Sequence, residues 1–210
     1  MPFNTTPLHK NWLEYWSGQI TWEQYLDNLL DLCVQSNDEP GDRDLENVRF
    51  QDPFSYMTAV WYKKIHPIKD TQVQAVKAVF KTYRQDTANA NEPRYATAEE
   101  VEDKLVLLEG SGLSEEGIIG LKKSLAWRAC YDKQARMLEF LLERGGFPIE
   151  WPLLDKTKWF LNSSQDPEMT RVVSESRVLR EARENMPPKQ IEDMSPAEIF
   201  DEGGPLPVKW

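Results

Sequence analysis

Two histidines, His9 and His66, and two cysteines, Cys33 and Cys130, are the side chains of this chain best suited to metal or nucleophilic chemistry. A structural zinc site needs four ligands converging from short-spaced pairs, and these four residues lack that spacing. Nucleophilic catalysis needs a base beside the nucleophile, and no Gly-x-Ser-x-Gly elbow singles one out. The pairs Glu99-Glu100, Glu102-Asp103 and Glu115-Glu116 carry carboxylates suited to acid–base work or a divalent cation. Adjacent residues on a helix point apart, however, so solvated helix faces account for them. Gly110-Ser111-Gly112 has Glu115 where a phosphate loop would place its third glycine, and no Lys-Ser/Thr follows; it reads as an interhelical turn. His66, directly before Pro67, reads as a helix end. The residues therefore assign no catalytic group, no cofactor-binding group and no metal ligand.

The elements that would position any site are helical. Thr21-Trp22-Glu23-Gln24 is a capping box that predicts a helix from about Trp22 to Val34, with Trp22, Tyr25, Leu26, Leu29 and Cys33 on its apolar stripe. Asp52-Pro53 places an aspartate N-cap before a proline at the first helical position, where its missing N–H costs nothing. Pro67 closes that helix. Another follows Asp70, with Val73, Val76, Phe80 and Tyr83 in line. Thr97-Ala98-Glu99-Glu100 is a second capping box, and its helix should bury Val101, Leu105 and Leu108 before Gly110 ends it. Ser114 caps a helix carrying Ile118, Leu121 and Leu125. After a break near Asp132, Met137, Leu138, Leu141 and Leu142 form an apolar face stopped by Gly145-Gly146. Residues 153–161 are ambiguous. Asp166-Pro167 opens a last helix, whose Met169, Val172, Val173, Ser176 and Leu179 share a face reaching about Arg183.

The chain has 210 residues, 35 acidic against 25 basic, for a net charge of -10. That field repels phosphate backbones and anionic headgroups, and Lys63-Lys64 and Lys122-Lys123 are too isolated to make a basic stripe. Neither nucleic acid nor a membrane is the expected partner. The apolar run Leu105 to Leu108 is far short of the roughly 20 residues that span a bilayer. The start of the chain lacks a basic n-region followed by an apolar stretch, so an intracellular, cytoplasmic setting with reduced, buried cysteines is expected. The fold class is all-α: stacked helical hairpins or an irregular helical bundle. Residues 1–184 form the expected helical domain, with an exposed charged loop at about 36–52. A proline-rich arm, 185–210, offers Ile199, Phe200 and Trp210 as anchors for a partner or for its own domain.

A spacing near 33 residues links Leu141-Leu142-Glu143 to Leu107-Leu108-Glu109 and Met137 to Met169. Ala126-Trp127-Arg128-Ala129-Cys130 through Phe140-Leu141-Leu142-Glu143-Arg144-Gly145-Gly146 resembles one ankyrin repeat, over residues 125–147. Thr6-Pro7-Leu8-His9 matches the opening tetrapeptide of that family, although Asn11 stands where the family has alanine. The resemblance implies a degenerate ankyrin-like stack and a non-enzymatic adaptor or scaffold that binds another protein. The alternative from a different class is an enzyme or small-ligand binder with a pocket between helices.

Overall fold

The computed structural model describes residues 6–35, 52–87, 92–163 and 166–189, and 75% of this structure is helical. The described residues form ten helices. In chain order they are α1 (Pro7–Trp16), α2 (Trp22–Gln35), α3 (Pro53–Ile65), α4 (Asp70–Tyr83), α5 (Ala98–Glu109), α6 (Glu115–Tyr131), α7 (Ala135–Arg144), α8 (Trp151–Ser163), α9 (Pro167–Glu175) and α10 (Arg177–Asn185). One antiparallel ladder of two residues a side, β1 (Arg84–Gln85) and β2 (Arg94–Tyr95), pairs Arg84 with Tyr95 and Gln85 with Arg94. The all-α expectation holds.

Local chemistry sets the starts. The Thr21 and Thr97 capping boxes close in both directions, Gln24 and Glu100 each reaching back to the cap residue's N–H. Asp52, Ser114 and Asp166 each accept from the N–H three residues on. Gly145 and Gly146 leave α7 at φ 63° and 81°, in the left-handed region that glycine enters without a Cβ clash.

α6 is the axis of the fold. It packs on α3, α7 and α8, while α2 lies against α3 and α4, and α4 against α5. At Gly120 α6 admits the Trp61 side chain of α3, since a Cβ there would stand 2.4–2.8 Å from it. The core runs through fully buried Trp22, Tyr25, Phe54, Phe80 and Tyr83 on one side of α6 and Leu138, Leu154, Phe160 and Val173 on the other. Buried Asn11 fastens α1 to α2, its amide donating to the Tyr25 carbonyl at 3.0 Å and accepting from Asn28 at 3.1 Å.

Three segments depart from the sequence reading. The single helix expected after Asp166 is two, because Ser176 is extended (ψ 114°) and its hydroxyl caps Leu179 N–H, so α9 ends and α10 begins at one residue. The ambiguous stretch is helix α8. Thr6-Pro7 opens helix α1, which the sequence reading does not include, with Thr6 capping His9 N–H and Pro7 at the first helical position. Of the charged loop only Asp52 is described, and it is buried rather than exposed; of the arm, residues 185–189 are described.

Candidate functional site

Side chains from α1, α2, α3, α4, α6 and the β-ladder converge on a buried guanidinium. Arg128, in the last turn of α6, is 4% exposed. Its Nε donates to Asp132 at 2.9 Å, one helical turn on. Rings surround it: Arg128 Cζ lies 4.9 Å from the Trp22 ring centre, 5.2 Å from Tyr131, 5.7 Å from Phe54 and 5.8 Å from Tyr15. Desolvating a cation costs several kcal/mol, and here a short ion pair and desolvated ring faces, each worth about 0.5–2 kcal/mol, offset that cost.

Asp132 is shared. It accepts from Tyr83 Oη at 3.1 Å and stands 3.5 Å from Arg84, whose own guanidinium covers Tyr15, Trp22 and Tyr95. Burial pushes the Tyr83 phenol well above its ordinary value, and the neighbouring Asp132 carboxylate pushes the same way. Tyr15 is held up at about 12, by burial first. Its buried hydroxyl meets no hydrogen-bond partner among the described residues. On the other side, Asp52 accepts from Tyr25 Oη at 3.1 Å and from Ser55 N–H at 3.3 Å, and Tyr25 Oη and Ser55 Oγ share a 2.7 Å bond. Burial raises the Asp52 carboxyl above its usual range.

Arg128 and Asp52 line the inner end of a cleft of about 360 Å³. Its walls are Trp12 of α1, Trp127 and Tyr131 of α6, Pro53, and Pro152, Asp155 and Lys156 of α8. Trp127 stacks on Tyr131 at 5.2 Å. Lys156 lies 4.6 Å from the Tyr131 ring centre and 6.0 Å from that of Trp159, and burial lowers its ammonium below the usual lysine range.

The cleft opens onto an aromatic surface. His9, Trp12 and Trp16 stack along α1 at 5.7 and 6.1 Å, and Trp16 is 71% exposed. Across the cleft Tyr131 and Trp159 are 41% and 43% exposed, with Lys133 5.5 Å from the Trp159 ring centre. Trp12 and Tyr131 both border the cleft, and Lys156 touches both Tyr131 and Trp159, so the face is continuous from Trp16 to Trp159. A second groove, of about 400 Å³, lies between α3, α6 and the start of α8, with Met57, Trp61, Ile119, Trp151 and Met186 in its walls.

The partner anchors expected from the sequence, Ile199, Phe200 and Trp210, lie outside the described residues. His66 is the C-cap of α3 and His9 part of the α1 stack, and neither borders the Arg128 cleft. Cys33 and Cys130 are buried free thiols, pushed up by desolvation, Cys130 to about 12. Among the described residues no group of three or more His, Cys, Asp or Glu side chains is placed to hold a metal ion, and no helix is long and apolar enough to cross a membrane. Sequence reasoning did not find Arg128, Asp132, Asp52 or Trp12 as a group. Their one legible signal was a charge within the otherwise apolar Ala126–Cys130 run. No family model matches the chain, and no curated protein or solved structure matches it either.

Proposed function

We propose that this chain is a non-enzymatic protein-interaction module, an adaptor or scaffold, that docks another polypeptide on the aromatic face of α1, α6 and α8. The observation carrying this reading is the continuity of exposed Trp16, half-buried Trp12, and exposed Tyr131 and Trp159 around one cleft. Single exposed apolar residues are ordinary, but a contiguous set of large aromatics rimmed by charge is the composition of binding hot spots. Tryptophan and tyrosine bury large areas at small cost in side-chain entropy, which suits a surface that must be wet when free and dry when bound. The ankyrin-like segment 125–147 lies in the α6–α7 hairpin, whose first helix contributes Trp127 and Tyr131 to this face, and protein binding is the role that resemblance implies. Ile199, Phe200 and Trp210 enter the proposal as a second set of contacts. A small-ligand reading has one feature in its favour, the polar floor of the Arg128 cleft.

The test compares capture of proteins from an extract of the source cells by the wild-type chain, by a Trp16→Ser/Trp159→Ser variant, and by a Val106→Ser/Leu107→Ser control on α5, where Val106 and Leu107 are 54% and 63% exposed. The proposal expects a defined set of captured proteins lost only with the tryptophan variant. Equal capture by all three would refute it.

A further inference from the structure

The Arg128 guanidinium holds more hydrogen-bonding capacity than the protein uses. Among the described residues only its Nε is hydrogen-bonded, to Asp132. A guanidinium carries five N–H donors, so four remain on the two terminal nitrogens. Buried donors are ordinarily satisfied, and an unspent charged fork is costlier still. Arg128 is also a wall of the cleft, and a side chain only 5% exposed that lines an open cleft must form its floor. The fork is therefore presented to whatever fills that space.

The carboxylates nearest the site are committed elsewhere. Asp132 serves Nε, Tyr83 and Arg84. Asp52 is hydrogen-bonded by Tyr25 and Ser55; it feels the Arg128 charge, but no ion pair within 4.0 Å joins the two. Asp155 at the mouth is ion-paired with Lys158 and Lys189. The cations are not so spent: Lys156 rests on the Tyr131 ring and Lys133 on the Trp159 ring, both beside the opening. Trp12, Trp127 and Tyr131 complete an apolar sleeve around the approach.

We propose that the Arg128 cleft binds the carboxylate of an aspartate or glutamate side chain on a partner polypeptide, with an adjoining apolar residue held between Trp12 and Tyr131. This rests on the aromatic face being a protein-docking surface and specifies the chemistry of its partner. The carboxylate oxygens accept from the two free nitrogens of Arg128 in a fork-to-fork pair. Lys156 at the rim adds attraction and favours acidic segments during approach. A cleft of about 360 Å³ is at the small end of ligand-pocket volumes and holds one side chain with part of its neighbour.

Isotope-labelled full-length protein titrated with acetyl-Leu-Glu-Leu-Leu-amide, its glutamine twin, or sodium acetate tests this, with the indole signals of Trp12 and Trp127 and the guanidinium signal of Arg128 as readouts. The proposal expects saturable shifts of all three with the glutamate peptide. A charged hydrogen-bonded pair worth about 1.5–3 kcal/mol corresponds to roughly ten- to hundred-fold weaker binding of the glutamine twin. Trp12→Ala, a substitution at a half-buried surface ring, should weaken the peptide while leaving the fold and the Arg128 signal in place. Lys156→Gln should weaken it several-fold. Equal binding of the two peptides would overturn the carboxylate assignment while leaving a docking face. Acetate binding as tightly as the peptide would overturn the polypeptide assignment in favour of a free acid. No shift with any probe would overturn the site altogether.

Discussion

At Arg128, one residue serves both the core and the surface. Its Nε closes a pair with Asp132 that is nearly out of solvent, and removing one member of such a pair strands the other. Arg128→Gln should therefore cost about 3 kcal/mol, at the low end for a buried pair because Arg84 remains 3.5 Å from Asp132. Urea melts read this directly, and a loss under about 1 kcal/mol would mean that Arg84 alone satisfies the carboxylate. Cys33 and Cys130 belong to the same scale. Both are buried and their thiols are pushed up, so little thiolate forms at neutral pH. Labelling by a thiol reagent should be slow in the native state and fast in urea; rapid native labelling of Cys130 would show that the end of α6 opens.

Helix contacts make sharper demands on single positions. Replacing a mid-helix glycine by alanine normally stabilises by about 1 kcal/mol, yet at Gly120 the new Cβ would meet Trp61 carbons at 2.4–2.8 Å. Overpacking of about 1–3 kcal/mol outweighs the propensity gain, so Gly120→Ala should lower the melting temperature; a rise would show that α3 yields. The Arg144 clasp ties α7 to α5 through Glu102 and Glu109. Arg144, followed by Lys122, lowers the Glu109 carboxyl to about 2 from an ordinary 4.5. A depressed carboxyl contributes stability that is complete above its unfolded value and is lost as pH falls through its folded value. The loss should run from about pH 4.5 to pH 2, and it should be modest because Glu109 is partly solvated. Urea melts of Glu109→Gln and wild type should differ at pH 6 and converge near pH 2; an unchanged gap would remove the clasp from the acid response.

The difference between what could be read in the sequence and what could not follows from the range of each interaction. Caps at Thr21, Asp52, Thr97, Ser114 and Asp166 act over three residues, so the text alone locates those starts. Thr6-Pro7 carries the same local signal as Asp52-Pro53, a cap oxygen before a proline at the first helical position, and it also matches a family tetrapeptide. The break at Ser176 was hidden because Met169, Val172, Val173 and Leu179 keep helical spacing across it; only the Ser176 backbone differs. Nothing local could assemble the cleft, because Trp12, Asp52, Arg128 and Lys156 come from four distant points in the chain and meet only after α1, α3, α6 and α8 pack.

For the whole molecule, the helices are arranged around α6 so that one end of that helix carries Arg128 and Tyr131 between α1 and α8. The chain carries a net charge of -10, and on this face two cations, Lys133 and Lys156, rest on the exposed Trp159 and Tyr131 rings. Under the proposal, these two cations would attract an acidic segment to this face against the overall negative field. The most direct measurement is photo-crosslinking in source cells, with a photoreactive phenylalanine analogue at Trp16, at Trp159 and, as control, at Leu107. Reproducible adducts to the same protein from both tryptophan positions and none from Leu107 are expected; adducts from Leu107 alone would place the docking surface on α5 and contradict the account.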